Sequence, residues 1–378
     1  MQDAPTTSYD PPEEDLLDTL RLWLTPGVGG RMFKVLREHF GSPRAVLAAS
    51  ESMLRAVPGV GPKLAHQIAH GDKRPDVMAE LELCRRHGIK ILSSEHDLYP
   101  RALKEIHDPP GMLFLRGELK PSDALAIAIV GTRHATHYGL RQAERLAGGL
   151  ARAGLTIVSG LARGIDAAAH RGALAAGGRT IAVLAAGVLN VYPPEHVALA
   201  DEIAANGALV SESPPGGQVL PGMFPQRNRI ISGLALCVIV VEAGDRSGAL
   251  ITAHHALEQG RDVFAVPGSV ESRNSRGCHK LIREGAKLIE SPDDVLEELG
   301  PLVEAAARPD GREIHHPAEL LLNEVEQQVL GAVRSEATAI DEIVFSTGLS
   351  VPQVLSTLSV LEMRRLIRRL SGATVIRL

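Results

Sequence analysis

The chain has 378 residues, which is more than one ordinary domain holds, so two or three domains are expected. Its hydrophobic content of 44% and charged content of 22% are those of a folded globular protein. A formal net charge of −5 excludes a general affinity for nucleic acid, so any such binding has to come from a local basic cluster. Aromatic residues make up only 3%, which counts against an aromatic stacking platform of the kind that single-strand-binding barrels use.

The three cysteines, Cys84, Cys237 and Cys278, are odd in number and far apart in the sequence. This pattern argues against a disulfide framework or a zinc site and is typical of a reducing cytosol. We find no metal-ligand spacing among the 15 histidines and expect neither a bound metal nor a cofactor. The chain begins without a signal-peptide pattern and has no apolar run of membrane-spanning length, so a cytoplasmic location is expected.

The amino-terminal part is interpreted as a disordered tail over residues 1–14 and a helical, SAM-like domain over residues 15–80. Two segments, 24–36 and 57–68, share the order Pro, Gly, Val, Gly followed by an amphipathic helix. Such a hairpin between helices exposes backbone N–H groups that can hold a phosphate. Because the flanking charge is modest, two interpretations stay open. One is contact with a DNA backbone, and the other is a packing domain that only keeps the helix-hairpin-helix shape.

The central segment, residues 81–299, alternates short apolar runs with helical patterns. Several of the apolar runs stop at a glycine and pass through a polar turn into a helix, as parallel strands do in an open α/β sheet. We therefore predict an extended Rossmann-type, doubly wound and mostly parallel sheet. The predicted strands are 89–92, 112–116, 125–130, 156–159, 180–184, 208–211, 237–242, 262–266 and 287–289.

The carboxyl-terminal part is interpreted as a linker over residues 300–319 and a winged-helix domain over residues 320–378. Its third helix carries no Lys or Arg between 350 and 360, whereas readers of duplex DNA place polar or basic side chains there. For the winged-helix domain, contact with a protein or a packing role is therefore favoured. The reading of duplex DNA stays open as the alternative. The basic side chains come at the end of the helix and in the wing, at Arg364, Arg365, Arg368 and Arg369.

Two glycine-bearing turns follow neighbouring strands and suit an anion. The first turn holds Gly131, Thr132 and Arg133, whose guanidinium can fork onto a phosphate or form a surface salt bridge. The second turn opens a helix, where free N–H groups favour an anion. Its aspartate is favoured as a helix cap over a catalytic carboxylate. The candidate residues of this second turn are Ser159, Gly160, Arg163, Gly164 and Asp166.

A third turn and the start of a later helix belong to the same predicted edge of the sheet. Arg and Asn together offer many donors to a sugar-phosphate backbone. The sequence shows no phosphate-loop motif, no nucleophile elbow and no convincing carboxylate pair. We therefore expect a pocket that holds a polyanion without doing chemistry, and not an enzyme. The additional candidates are Arg227, Asn228 and Arg229, and then Arg246, Ser247 and Gly248.

Several runs resemble the DprA/Smf (DNA processing protein A) family, among them IAIVGTR, IVSGLARGIDAAAH, FPQRNRIISGL and VIVVEAGDRSGALITAHHALEQGRDVFAVPG. The resemblance is strong over residues 80–290, and both ends look like those of longer members. It implies a cytosolic, competence-related protein without known catalysis. Such a protein binds single-stranded DNA taken up in natural transformation, shields it from nucleases and helps load the RecA recombinase onto it.

The resemblance also implies roles for individual residues. Arg133 corresponds to the family's central DNA contact, and the loop from Ser159 to Asp166 and the segment Arg227–Arg229 correspond to further DNA contacts. Homodimer formation and the RecA contact correspond to the last βα unit. Contacts with single-strand-binding protein, and of the terminal domains with duplex DNA, stay open. The matching interface positions are Leu257, His279, Ile282 and Leu288.

A second hypothesis belongs to another functional class. An open sheet with glycine turns is also the scaffold of nucleotide-processing enzymes such as nucleoside-monophosphate glycosidases. Those enzymes carry a Pro-Gly-Gly-x-Gly-Thr motif followed by a glutamate, which the corresponding segment, 247–252, lacks. A third interpretation, a nuclease, would need clusters of metal-binding carboxylates, which the sequence does not show.

Overall fold

A computed structural model describes residues 13–71, 76–220, 222–299, 306–307, 313–314, 316–317, 319, 322–370 and 373–378. The predicted disordered tail lies outside these residues except for positions 13 and 14, which are helical. Most of the predicted linker at 300–319 also lies outside them. The chain divides into two compact units, Met1–Leu288 and Ile289–Leu378.

The first unit begins with a group of short helices. The two predicted hairpins join the first helix to the second and the fourth helix to the fifth. Gly27 and Gly59 have φ angles of +93° and +88° in these hairpins, which favours glycine at both positions. Ser42 and Ser50 cap the third and fourth helices by accepting backbone N–H groups. The helices are α1 (Glu13–Trp23), α2 (Gly30–Phe40), α3 (Pro43–Ala48), α4 (Glu51–Arg55), α5 (Pro62–His70) and α6 (Val77–His87).

A nine-stranded sheet follows these helices. Its strands are β1 (Lys90–Ser93), β2 (Met112–Gly117), β3 (Ala126–Val130), β4 (Thr156–Ser159), β5 (Thr180–Val183), β6 (Gly207–Ser211), β7 (Cys237–Val240), β8 (Asp262–Ala265) and β9 (Lys287–Leu288). Their order is β1-β2-β6-β5-β4-β3-β7-β8-β9. In this spatial order, every neighbouring pair from β6 through to β9 is parallel. At the other end of the sheet, β2 pairs antiparallel with β6, and β1 pairs antiparallel with β2. The predicted extended Rossmann-type sheet is confirmed.

Helices cover both faces of this sheet. Every residue of β3 to β7 is buried, which explains why the sequence shows unbroken apolar runs instead of alternation. The strand order reverses between β3 and β7, so these neighbours form the topological switch point of the sheet. The helices are α7 (Arg101–Lys104), α8 (His137–Arg152), α9 (Ile165–Ala175), α10 (Val197–Asn206), α11 (Met223–Gly233), α12 (Gly248–Glu258) and α13 (Arg276–Arg283).

One apolar cluster joins the amino-terminal helices to the sheet. Trp23 and Phe33 belong to it together with Met112 and Phe114 of β2. The rings of Trp23 and Phe33 meet edge to face, with centroids 5.6 Å apart. The indole N–H of Trp23 donates to the carbonyl oxygen of Glu212 at 3.0 Å. The segment predicted as a helical domain over 15–80 therefore shares its apolar core with the sheet.

The second unit contains the predicted winged helix. Val329, Ile343, Val354, Leu358 and Leu361 form the centre of its core. The strands Thr338–Ala339, Thr374–Arg377 and Ile367–Arg369 form a small antiparallel sheet in that order. Two short paired strands, Ala306–Ala307 and Glu313–Ile314, lie in the segment predicted as a linker. The elements are α14 (Pro292–Glu298), β10 (Ala306–Ala307), β11 (Glu313–Ile314), α15 (Glu324–Ala332), β12 (Thr338–Ala339), α16 (Ile340–Thr347), α17 (Val351–Met363), β13 (Ile367–Arg369) and β14 (Thr374–Arg377).

Within the described part of the chain, no single helix has the length and apolar composition needed to cross a membrane. The pair α16 and α17 reaches that length and composition only when both helices are taken together, and the two are bent by 113° at their junction.

Close backbone contact between α8 and α9 leads to a stability prediction. A Cβ atom at Gly172 would lie 2.4 Å from the carbonyl oxygen of Glu144, so Gly172→Ala overpacks this contact. We expect a loss of about 1–3 kcal/mol in the free energy of unfolding of the first unit. The control is Gly331→Ala on α15, where a Cβ atom meets nothing within 4 Å. Alanine should stabilise that helix by up to about 1 kcal/mol. Urea unfolding measures both, and a neutral Gly172→Ala would contradict the close packing.

His170 joins α9 to β5 in the buried interior. Its Nδ1 lies 2.7 Å from the hydroxyl of Thr180, and that hydroxyl donates to the carbonyl oxygen of Ile157. The hydroxyl therefore accepts from Nδ1–H, and Nε2 has no hydrogen-bond partner among the described residues. Burial lowers the pKa of His170 to about 3, so the ring is neutral in the folded protein.

This buried ring predicts a pH dependence of stability. In the unfolded chain the ring takes up a proton at about pH 6.5, whereas in the folded chain it stays neutral down to about pH 3. Stability should therefore fall as the pH drops from 6.5 towards 3, by up to about 1.4 kcal/mol per pH unit. Urea unfolding between about pH 5 and pH 7 should show a flatter dependence for His170→Gln. The exposed His254→Gln should keep the parent's slope, and equal slopes in all three proteins would contradict the account.

Candidate functional site

A cavity of about 950 Å³ opens beyond the carboxyl ends of β3 and β7. It therefore lies at the switch point of the sheet, where open α/β folds bind their ligands. All four segments singled out in the sequence contribute to its lining. The candidates that line it are Gly131, Thr132, Arg133, Asp166, Arg227, Asn228, Arg246, Ser247 and Gly248.

The turn between β3 and α8 is held by the buried Glu242, which follows β7. The backbone N–H of Thr132 donates to the Glu242 carbonyl oxygen at 2.6 Å. The Glu242 carboxylate accepts both the backbone N–H and the hydroxyl of Thr136, at 2.9 and 2.6 Å. Thr136 in turn caps α8. These bonds fix the turn and leave Arg133 exposed at its tip.

Arg133 lies beside Phe224 at the cavity, and a second aromatic side chain, Tyr192, lies near Phe224. Its guanidinium carbon is 5.0 Å from the centre of the Phe224 ring, a cation–π arrangement. The Phe224 ring is 5.9 Å from the ring of Tyr192, which is 41% exposed. The composition argued against an aromatic platform, yet the fold brings these two rings to the same cavity. Sequence reasoning missed both, although each directly precedes a proline and Phe224 begins one of the runs that carry the family resemblance.

Arg227 forms the back of the cavity and is buried. Its guanidinium donates to the carbonyl oxygen of Gly160 at 2.7 Å and to that of Val183. A Cβ atom at Gly160 would lie 2.5 Å from a guanidinium nitrogen, so only glycine leaves room for this side chain. Burial lowers the pKa of Arg227 to about 10, and the side chain stays charged at neutral pH. Burial also raises the pKa of the adjacent Asp166.

The remaining candidates of the second turn do not line the cavity. The hydroxyl of Ser159 is buried and donates to the carbonyl oxygen of Ile129 at 2.6 Å. Gly164 has a φ angle of +75°, and a Cβ atom there would lie 2.3 Å from the carbonyl oxygen of Thr132. Both residues therefore set the shape of the two turns from behind. Arg163 forms an exposed ion pair with Glu195 at 2.5 Å.

Arg229 faces away from the cavity. Its guanidinium pairs with Glu212 at 2.8 Å and with Asp108 at 3.2 Å. The sequence suggested that Arg227, Asn228 and Arg229 act together, but successive residues of α11 point in different directions around the helix. Asn228 and Arg227 therefore reach the cavity, whereas the charge of Arg229 is neutralised by the two carboxylates.

The amino-terminal end of α12 forms the opposite wall. Ser247 caps the helix by accepting the N–H of Ala249 at 3.3 Å, and Arg246 precedes the cap. A helix N-terminus carries a partial positive charge and favours anions. The charged residues of the lining, His134 counted as neutral, are three arginines and one aspartate, a formal charge of +2. This is the local basic cluster that a chain with a net charge of −5 needs to bind a polyanion.

The four candidate interface residues lie on α12, α13 and β9, the last strand of the sheet. Leu257 and Leu288 are 57% and 49% exposed, so both present apolar surface to solvent. Ile282 is half-buried, and a ring nitrogen of His279 lies 3.1 Å from the Gly268 carbonyl oxygen. Leu288 lies on the edge strand β9 and Leu257 on α12, and their exposed apolar surface is compatible with a protein contact. That role stays a prediction.

Comparison with known families and structures identifies relatives of all three regions. The model of DNA recombination-mediator protein A matches residues 90–300. The DprA winged helix domain matches residues 314–373, and the SAM-like helix-hairpin-helix tandem matches residues 16–70. Protein Smf of Synechocystis is 36% identical over 377 residues, which cover 92% of this chain and 94% of the relative. DNA processing protein DprA of Bacillus subtilis is 47% identical over 228 residues, which cover 60% of this chain and 76% of the relative.

Two solved structures are also similar. DprA of Streptococcus pneumoniae superimposes with a TM-score of 0.66 at 38% identity, covering 75% of this chain and 98% of that one. DprA of Helicobacter pylori, a protein with a described single-stranded DNA binding mode, has a TM-score of 0.50 at 31% identity. The match covers 55% of this chain and 93% of that one. Because the recombination-mediator model matches more than half of the sequence and Protein Smf aligns over nearly its whole length, the chain belongs to the DprA/Smf family of DNA recombination-mediator proteins.

Proposed function

We propose that the chain binds single-stranded DNA in the cavity at the switch point. The observation that carries this proposal is the combination, in one cavity, of three arginines, a helix N-terminus and an aromatic pair. Arginines and the helix N-terminus suit phosphates, and aromatic rings suit an unstacked base. Bases in a duplex are paired and stacked, so the aromatic pair favours a single strand. The binding described for the Helicobacter pylori relative supports this ligand.

In this proposal Arg133 and Arg227 have different tasks. Arg133 is exposed and oriented by Phe224, so its planar fork can take two oxygens of one phosphate. Arg227 is buried and already donates to two carbonyl groups, so it supplies a fixed positive charge behind the ligand. Asn228 and the end of α12 add polar groups at the wall. Ser159, Gly160 and Gly164 contribute by holding the turns in shape.

The biological role that we propose is protection of incoming single-stranded DNA in natural transformation and loading of RecA onto it in the cytoplasm. Family membership supports this role. We further propose a homodimer formed through the surface around Leu257 and Leu288, because both leucines are exposed and Leu288 lies on the edge strand β9. Two cavities in one dimer would raise the avidity for a long strand.

We propose that the winged helix contacts a protein rather than reading duplex DNA. Arg364 pairs with Glu326 at 3.3 Å and Arg369 pairs with Glu362 at 3.2 Å. Ion pairs of this kind reduce the positive charge available for phosphates.

The nucleotide-glycosidase alternative is not favoured, because the described lining of the cavity includes a single carboxylate, Asp166.

The exposed Arg133 leads to a prediction about DNA affinity. Arg133→Ala should weaken binding of a thymidine oligomer by about 10- to 100-fold, because a charge-assisted hydrogen bond to a phosphate is worth about 1.5–3 kcal/mol. The slope of log K against log salt should become shallower by about 0.7 for each phosphate contact that is lost. Fluorescence anisotropy at several salt concentrations measures both quantities.

Arg145→Ala is the matched control, since it removes the same charge from an exposed position on α8 that does not line the cavity. Its affinity should stay within about twofold of the parent's, as is usual for an exposed surface substitution. An Arg133→Ala protein that binds the oligomer as tightly as the parent would show that the assignment of the cavity is wrong.

The aromatic pair leads to a separate prediction about DNA affinity. Phe224→Leu keeps an apolar side chain and removes the ring, so affinity for a thymidine oligomer should fall by about 1–3 kcal/mol. The same substitution should have a much smaller effect on an oligomer of equal length whose sugars carry no bases. An equal loss for both oligomers would mean that Phe224 acts by positioning Arg133, and base stacking would be refuted.

A further inference from the structure

A group of metal-ligating side chains lies in the amino-terminal helices, outside the lining of the cavity. It consists of Glu51 on α4 and of His66 and His70 on α5, and we name it the helix-pair cluster. A single carboxylate oxygen of Glu51 lies 2.8 Å from Nδ1 of His66 and 2.9 Å from Nε2 of His70. Each residue offers one ligand atom, and these atoms all lie within 4.8 Å of one another.

The fold brings these residues together through the second helix-hairpin-helix segment. His66 and His70 are four residues apart, so they share one face of α5, with ring centres 4.4 Å apart. The chain reverses between Arg55 and Pro62, which returns α5 alongside α4. Glu51 begins α4 and therefore lies beside the later part of α5. Ser50 caps α4, and Pro62 starts α5, so both helix starts are fixed by local sequence.

The chemistry of the cluster suits a transition metal ion. Hydrogen bonds from both imidazoles lower the pKa of Glu51, so its carboxylate is ionised at neutral pH. The two ring nitrogens that face this oxygen carry protons when no metal is bound, and an ion could replace them. The side chains of the three residues are 41% to 55% exposed, so water can complete the coordination. Two histidines and one glutamate are a known donor set for zinc sites with an open position.

We propose that Glu51, His66 and His70 bind a divalent transition metal ion of the Zn²⁺ type, with water in the remaining position. The ion would join α4 to α5 about one to two turns away from the hairpin and so stabilise the helix-hairpin-helix arrangement. Oxygen-preferring ions such as Mg²⁺ suit two imidazoles poorly and should not compete.

The experiment is calorimetric titration of the untagged full-length chain with Zn²⁺ at neutral pH. The parent should bind one ion in a saturable step at this cluster. His66→Gln and His70→Gln should each weaken that step by about 100-fold or more, since loss of a group that merely orients a ligand already costs about 10- to 100-fold. His87→Gln on α6 is the matched control, an exposed histidine at a helix end outside the cluster, and should bind like the parent.

A second readout separates metal binding from a change in folding. Zn²⁺ should raise the melting temperature of the parent and of His87→Gln, and leave that of His66→Gln and His70→Gln unchanged. Without metal all four proteins should melt alike, because the substituted side chains are exposed. Two results would overturn the proposal: no saturable binding of Zn²⁺ by the parent, or saturable binding that both cluster substitutions leave intact. In the first case the cluster is only a surface ion pair, and in the second the ion is held elsewhere.

Discussion

The buried guanidinium of Arg227 is the constraint on which the candidate site depends. A charge taken out of water destabilises a fold by several kcal/mol unless it is paired and hydrogen bonded. Here the partners are two carbonyl groups, of Gly160 and Val183, with the carboxylate of Asp166 nearby. The ends of β4 and β5 and the start of α9 must therefore keep their positions around one side chain. The glycine turn after β4 follows from the same requirement, because a larger residue would occupy the place of the guanidinium.

A locally basic cavity reconciles an acidic chain with an anionic ligand. The net charge of −5 gives no general attraction for DNA, but the cavity collects three arginines and the positive end of α12. The scarcity of aromatic residues is reconciled in the same way, because Tyr192 and Phe224 lie together at the cavity. Binding through one such cavity involves few phosphates, so its salt dependence should be modest compared with that of a broad basic surface.

Much of the fold could be predicted from local pattern. The strands β3 to β8 were predicted to within about two residues, because buried parallel strands are continuous apolar runs that end in polar turns. The position of Arg133 at a strand end also follows from local order. The pairing of Arg229 could not be predicted, because its partners Asp108 and Glu212 lie 121 and 17 residues away in the chain.

The same limit applies to contacts that bring distant side chains together. Nothing local signals that Tyr192 meets Phe224, or that Glu51 reaches the histidines of α5. A sequence motif also does not show which of several successive helix residues face the site. Arg227 and Arg229 illustrate this point, since one lines the cavity and the other is neutralised by carboxylates.

Photochemical crosslinking tests the central claim most directly. A single-stranded oligomer that carries 5-iodouracil is irradiated in complex with the chain, and the crosslinked residue is identified by mass spectrometry. If the cavity holds the strand with a base against its aromatic pair, the crosslink should fall on Tyr192 or Phe224. Crosslinks confined to the helices of residues 13–71 or to the winged helix would contradict the account.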